Sequence, residues 1–186
     1  MADINSELLS RHRAPVDQRT GKAGTPHADP QLVTFVELLF FAYRDFTREA
    51  DAMLAEFALG RAHHRVLHFV NRHPGLRVAD LLDILKITKQ SLARVLKELV
   101  DKGWIVQMAG ETDRRQRLLY ATDKGAALSN RLDAMQARRV AQALEAAGDN
   151  RDLVARFLFA MITQEERAPV EMLLPGPVEA AASPHK

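Results

Sequence analysis

Cysteine is absent from the 186-residue chain. Disulfides, thiolate metal sites, iron–sulfur clusters and cysteine redox switches are excluded with it. Long apolar runs are missing too. The densest, Leu38 to Tyr43, falls far short of the roughly 20 residues that a bilayer-spanning helix needs, so no membrane partner is expected. The opening MADINSELLSRHR carries acids early and has no apolar segment behind them; it does not read as a secretory signal, and the expected compartment is the cytoplasm. No internal repeat is visible. There is no Ser-His-Asp order with supporting glycines, no phosphate-binding glycine loop and no carboxylate pair in a plausible cleft. Neither an enzyme nor a cofactor is expected.

Hydrophobic residues make up 47% and charged residues 27% of the chain, a globular composition. The formal net charge of +2 hides an uneven distribution. Residues 61–122 hold twelve Lys/Arg against six Asp/Glu, residues 1–60 hold six against nine, and residues 123–186 hold eight against nine. A basic centre between slightly acidic flanks suits a protein whose middle meets a polyanion.

The apolar periodicity predicts a mainly α chain with a small β-hairpin. Residues 1–29, with Pro15, Gly21, Gly24 and Pro26 and little periodicity, read as a flexible arm with one helical turn near Ile4–Leu9. Asp29-Pro30 is an N-cap followed by proline at the first helical position, opening a helix over 30–60 with Gly60 as its stop. A second helix spans about Arg61–Arg72 and ends at His73-Pro74-Gly75. Val78, Leu81, Leu82 and Leu85 mark a short helix, Lys86-Ile87 a turn, and Thr88 the cap of a helix with Leu92, Val95, Leu96 and Leu99 on its core face. Trp104–Met108 and Arg117–Ala121 read as strands. Thr122 caps a long helix to Gly148, and Asp149 or Asn150 caps a last one through Ile162, leaving 169–186 as a proline-rich tail. Short helix, tight turn, helix and hairpin make a winged helix-turn-helix over 61–122. The helices at 30–60 and 123–168 carry more apolar surface than one chain covers, which points to dimerisation.

The candidate interface follows from this order. On the helix that Thr88 opens, the face opposite the leucines carries Gln90, Arg94 and Lys97, flanked by Thr88, Lys89 and Ser91 as further candidate DNA contacts. Arg and Lys donate to guanine, Gln pairs with adenine, and Ser serves base or phosphate. The hairpin loop holds Asp113 with Arg114, Arg115 and Arg117. Arginines crowded at a loop tip repel one another unless they meet an anion such as a narrow minor groove; Asp113 is expected to orient Arg115 by a charge-assisted pair.

With PGLRVADLLDILKITKQSLARVLKELVDKGWI and the wing TDRRQRLLYATDKG, the chain resembles the MarR family of bacterial transcription regulators. Asp113, Arg115, Thr122 and Gly125 match the family's wing signature in order. Lys86 stands where members often have glycine; if that position is left-handed, lysine costs on the order of 1 kcal/mol. The resemblance implies a homodimer that sets two recognition helices into the major groove of a near-palindromic double-stranded DNA operator, as a repressor or other regulator. It also implies a small-molecule effector, commonly an aromatic acid in the family, near the first two helices. Phe40, Tyr43, Arg44, His63 and His64 are the candidate lining.

Two other readings stay open. His64 and His68 stand at i, i+4, with His63 beside them, so a metal-responsive regulator is one alternative, although a tight site wants further ligands; no metal is expected. A winged helix that contacts only protein is the other.

Overall fold

The computed structural model describes residues 29–110, 113 and 115–178. The expected N-terminal arm before Asp29, together with Glu111, Thr112, Arg114 and residues 179–186, lies outside them. The chain divides into two units, residues 1–41 and 42–186, and each is taken by itself.

In the first unit the described residues form the opening of α1 (Pro30–Ala55). Asp29 caps it, its carboxylate accepting from Gln31 N at 2.9 Å. The apolar side chains Leu32, Phe35, Val36, Leu38, Phe40 and Phe41 are exposed. In the second unit α1 continues with Thr47, Ala50 and Leu54 buried. It ends at Ala55 rather than at Gly60. Ala58 takes the left-handed conformation at φ 50°, and Gly60 becomes the N-cap of α2 (Arg61–Arg72) in extended backbone. The stop was misplaced because the reversal uses an alanine, and alanine gives no turn signal.

The remaining elements are β1 (Leu76–Arg77), α3 (Val78–Leu85), α4 (Lys89–Asp101), β2 (Ile105–Ala109), β3 (Arg117–Ala121), α5 (Asp123–Ala146), α6 (Arg151–Ala160) and α7 (Gln164–Glu171). β1 was not anticipated. Two residues carry no periodicity, and they become a strand by pairing with β3, Leu76 opposite Leu119. The sheet runs β1-β3-β2, all antiparallel, with Ile105 opposite Ala121. Asn150 is the cap of α6, accepting from Leu153 N at 3.1 Å. The helix ends at Ala160, and α7 follows with Pro169 inside it, where the sequence reads as a tail. Pro169 lacks an amide proton and forgoes only the bond to the carbonyl of Glu165 in the first turn, and the helical bonding continues past it with Met172 N donating to Ala168 O at 3.3 Å.

The core is one cluster contributed by every layer around α2. Val66, Leu67 and Val70 of α2 meet Leu81 and Leu85 of α3, Leu92, Leu96 and Leu99 of α4, Ile105 and Leu119 of the sheet, and Leu128 and Leu132 of α5. Leu54 and Ala50 of α1 close it. By contrast α6 buries no side chain, and its Leu153, Phe157, Leu158 and the following Met161 are exposed.

The wing is sealed to α5 by main-chain contacts. Thr122 N donates to Trp104 O at 3.1 Å, its hydroxyl donates to Gly103 O at 2.9 Å, and the same oxygen accepts from Gly125 N at 3.1 Å. A Cβ on Gly125 would stand 2.1 Å from Trp104 O, so only glycine permits the helix to start there. Gly125→Ala is therefore expected to cost at least about 3 kcal/mol, the upper part of the range for overpacking. Urea unfolding measures it, and a variant as stable as the wild type contradicts the packing described.

Candidate nucleic-acid interface

The turn between α3 and α4 sets the angle of the second helix. Lys86 adopts φ 50°, ψ 44° and its amide donates to Leu82 O, so the conditional strain attached to this lysine applies. Its ammonium is not left for an anion. It pairs with Glu166 of α7 at 2.9 Å. Thr88 caps α4, accepting from Ser91 N at 3.2 Å and donating to Ser91 Oγ at 2.9 Å. Ser91 Oγ accepts in this pair, so its own proton stays available for a further acceptor.

Leu92, Val95, Leu96 and Leu99 are buried on one side of α4, which obliges the opposite side to face solvent. Lys89, Gln90 and Arg94 are exposed there. None of the three has a hydrogen-bond or ion-pair partner among the described residues. Lys97 differs. Its ammonium is hydrogen-bonded to Asp101 one turn on, and that bond holds its pKa above the ordinary lysine value. It is a charge already answered within the helix.

The wing tip is organised by Asp113. Its carboxylate accepts from Arg115 N at 2.9 Å, and its carbonyl accepts from Gln116 N at 3.0 Å. Asp113 thus orders the turn through the backbone amide of Arg115, whereas the expected pairing was with the guanidinium. Gly110 closes the tip, donating to Gln116 O at 3.1 Å; a Cβ there would lie 2.8 Å from Asp113 O. Arg115 and Arg117 are exposed and unpaired among the described residues. Arg114 lies outside them.

Several cations elsewhere are paired with carboxylates. Arg61 forks onto Asp51 at 2.7 to 3.1 Å, Arg77 onto Asp80, and Arg139 meets Glu49 at 2.6 Å. Lys89, Arg94, Arg115 and Arg117, each exposed and without a partner among the described residues, belong to the helix and wing of a single unit.

The candidate effector residues separate. A cavity of about 340 Å3 between α1, α2 and α5 is lined by Tyr43, Phe46, Thr47, His64, Arg65 and Gln136, among others. It takes in Tyr43 and His64. Phe40 belongs to the N-terminal unit and is exposed, and Arg44 pairs with Asp45 at 3.0 Å. His63 turns the other way: its Nδ1 accepts from Gly60 N at 3.1 Å, so the proton sits on Nε2 and is donated to Glu98 of α4 at 2.9 Å. His63 braces α4 against α2. No sequence signal could show this, because the partners stand 35 residues apart.

Burial, then the neighbouring His68, push the His64 pKa down, which leaves it neutral at pH 7. His68 is held by Asp133 at 2.8 Å and meets His64 only edge-on, with ring centroids 6.5 Å apart. Among the described residues no group of three His, Asp or Glu side chains converges as metal ligands would. Arg65, which sequence reasoning overlooked, reaches Leu85 O at 3.2 Å and has no carboxylate on it. It is the uncompensated cation at the cavity.

The comparisons with known proteins agree with this geometry. The family model described as MarR family matches residues 59–116. The HTH-type transcriptional regulator PetP of Rhodobacter capsulatus is 48% identical over 120 residues, covering 64% of this chain and 72% of that protein. The crystal structure of the transcriptional regulator SlyA superposes with a TM-score of 0.61 at 18% identity, over 75% of this chain and 99% of the other. The repressor CouR, solved bound to a 23-mer DNA duplex, gives 0.56 at 26% identity, over 69% and 89%. By its extended identity to PetP and its winged helix-turn-helix fold, the chain belongs to the MarR family of transcriptional regulators.

Proposed function

We infer that the protein binds a near-palindromic operator in double-stranded DNA as a homodimer, in the cytoplasm, with α4 in the major groove and the wing against the flanking minor groove. The observation that carries this reading is the set of uncompensated donors on one helix and the adjoining hairpin. Lys89, Gln90, Ser91 and Arg94 line the N-terminal half of α4, where recognition helices read bases. Arg115 and Arg117, with Arg114, supply the wing. The division of labour follows from chemistry. Gln90 and Arg94 can make bidentate contacts to base edges, whereas the wing guanidiniums answer phosphate and minor-groove potential.

Dimerisation is favoured by exposed apolar surface. Within each unit, the first part of α1 and the whole of α6 leave large side chains in water, more than a monomeric regulator retains without a partner. Removal of residues 149–186 is expected to abolish the dimer and operator affinity together, by analytical ultracentrifugation and gel shift. A truncated chain that stays dimeric and binds normally refutes the assignment of α6.

For the effector, the small cavity beside α2 suits an aromatic acid. Tyr43, Phe46 and Phe69 offer ring contacts, and Arg65 rather than the neutral His64 would receive the carboxylate. Arg65→Gln is expected to weaken binding of an aromatic carboxylate about tenfold, roughly one charge-assisted hydrogen bond, with operator affinity of the unliganded protein retained. Titration calorimetry with salicylate as the probe checks it.

Base reading and phosphate positioning are separable by mutation. Arg94→Ala should cost roughly 1–3 kcal/mol on operator and relax preference at one position in each half-site. Arg115→Ala should lower affinity for all duplexes alike and flatten the dimer's salt slope by about 2 units, at ~0.9 per phosphate neutralised on each subunit. Selection from a randomised duplex pool, with titration at several salt concentrations, reads both. If both variants match the wild type on operator and random duplex, helix and wing do not touch DNA, and the winged helix serves a protein contact instead.

A further inference from the structure

Glu98 stands four residues after Arg94 on α4, and at 100° per residue the two lie about 40° apart on one stripe of the helix. We propose that His63 holds Glu98 away from Arg94 and so keeps that guanidinium free for a base. The inference rests on the operator reading above. It concerns what keeps a reading group available, not which groups read.

The other cations within one turn of Glu98 along the chain are engaged. Lys97 is bonded to Asp101. Lys102 turns its ammonium to Ala58 O at 2.9 Å. Arg94 alone of the three is exposed with no hydrogen-bond or ion-pair partner among the described residues. Glu98 is itself 42% exposed, so packing does not hold its carboxylate. Side chains at this spacing, with Cβ atoms roughly 5–6 Å apart, form ion pairs. A carboxylate that reached Arg94 would occupy the fork that a guanine edge requires, and would bring negative charge toward the phosphates. The restraint comes from α2. His63 Nε2 donates to Glu98 Oε2 at 2.9 Å, from a side chain only 14% exposed.

The ring is fixed for this task by its other nitrogen. Gly60 N can only donate, and it bonds Nδ1 at 3.1 Å, which leaves the proton on Nε2. Gly60 has no side chain to cap the helix, so His63 supplies the side-chain bond at the start of α2. One imidazole thus closes the start of α2 and restrains an acid 35 residues away. Two roles for the pair are separable. If Glu98 served DNA binding only by tying α4 to α2, its removal would weaken binding. If it is an acid that must be restrained, its removal does no harm, and harm follows only when His63 is lost and Glu98 remains.

The test measures affinity of the full chain for the duplex that the wild type selects from a randomised pool, by fluorescence anisotropy. His63→Asn offers Gly60 an acceptor in place of Nδ1 but is too short to reach Glu98. It should weaken binding about fourfold, about twofold for each subunit of the dimer, the worth of one i,i+4 ion pair. His63→Phe, which fills the same space and offers Glu98 no donor, should do the same. Glu98→Ala should bind no more weakly than the wild type, and His63→Asn combined with Glu98→Ala should return to the Glu98→Ala value. In an Arg94→Ala background, His63→Asn should have no further effect. Circular dichroism and thermal melting establish that each variant is folded at the temperature of the titration. Wild-type affinity in the folded His63 variants overturns the proposal. So does a loss in Glu98→Ala equal to that in His63→Asn, or a double variant as weak as His63→Asn alone. If Arg94→Ala binds as the wild type does, the operator role of Arg94 falls and this inference falls with it. A weakened Arg94→Ala beside an unaffected His63→Asn removes this inference alone.

Discussion

The close passage of the α5 backbone across the start of β2 governs how the helix-turn-helix and its wing are held. Thr122 bonds to both Gly103 and Trp104, and Gly125 comes so near the Trp104 carbonyl that no side chain fits. Both ends of the hairpin are thereby tied to the first turn of α5. Trp104 in turn is buried against Phe57 edge-on at 5.3 Å, with the Lys124 ammonium 3.8 Å from its ring centroid. The base of the wing is consequently fixed to the core helices by packing and hydrogen bonds.

A second constraint is electrostatic. The chain carries nearly balanced charge, yet the balance is not local. Arg61, Arg77, Arg139, Lys86 and Lys97 each have a carboxylate in contact. Such exposed pairs add little to stability, but they remove those cations from the surface potential. What remains concentrated is the set on α4 and the wing. The excess of basic residues in the middle of the sequence is thereby thinned by pairing at Arg61, Arg77, Lys86 and Lys97, while Lys89, Arg94, Arg115 and Arg117 stay unpaired on α4 and the wing.

The histidines show how one residue type is divided by its surroundings. His63 is locked as the Nε2–H tautomer by a backbone donor on one side and Glu98 on the other, and its side chain is only 14% exposed. His68 is drawn to Asp133. His64, which lacks a direct carboxylate, is the one that burial keeps neutral. A cluster that suggests metal binding by spacing is distributed to three separate tasks by its neighbours.

Sequence by itself determined the helices with strong periodicity, the caps at Asp29, Thr88 and Thr122, the hairpin strands and the outward face of α4. Each of these rests on interactions within a few residues, which local pattern records. It also carried the family, through the spacing of Asp113, Arg115, Thr122 and Gly125. Tertiary structure alone decided that Lys86 is spent on Glu166, that His63 faces α4 and that Arg65 is the free cation at the cavity between α1, α2 and α5. It alone made β1 a strand and folded the proline-bearing segment from Gln164 to Glu171 into a helix. In each case the deciding partner is set by how close an approach the fold allows, as with Lys86 and Glu166, 80 residues apart, and no local periodicity encodes that approach.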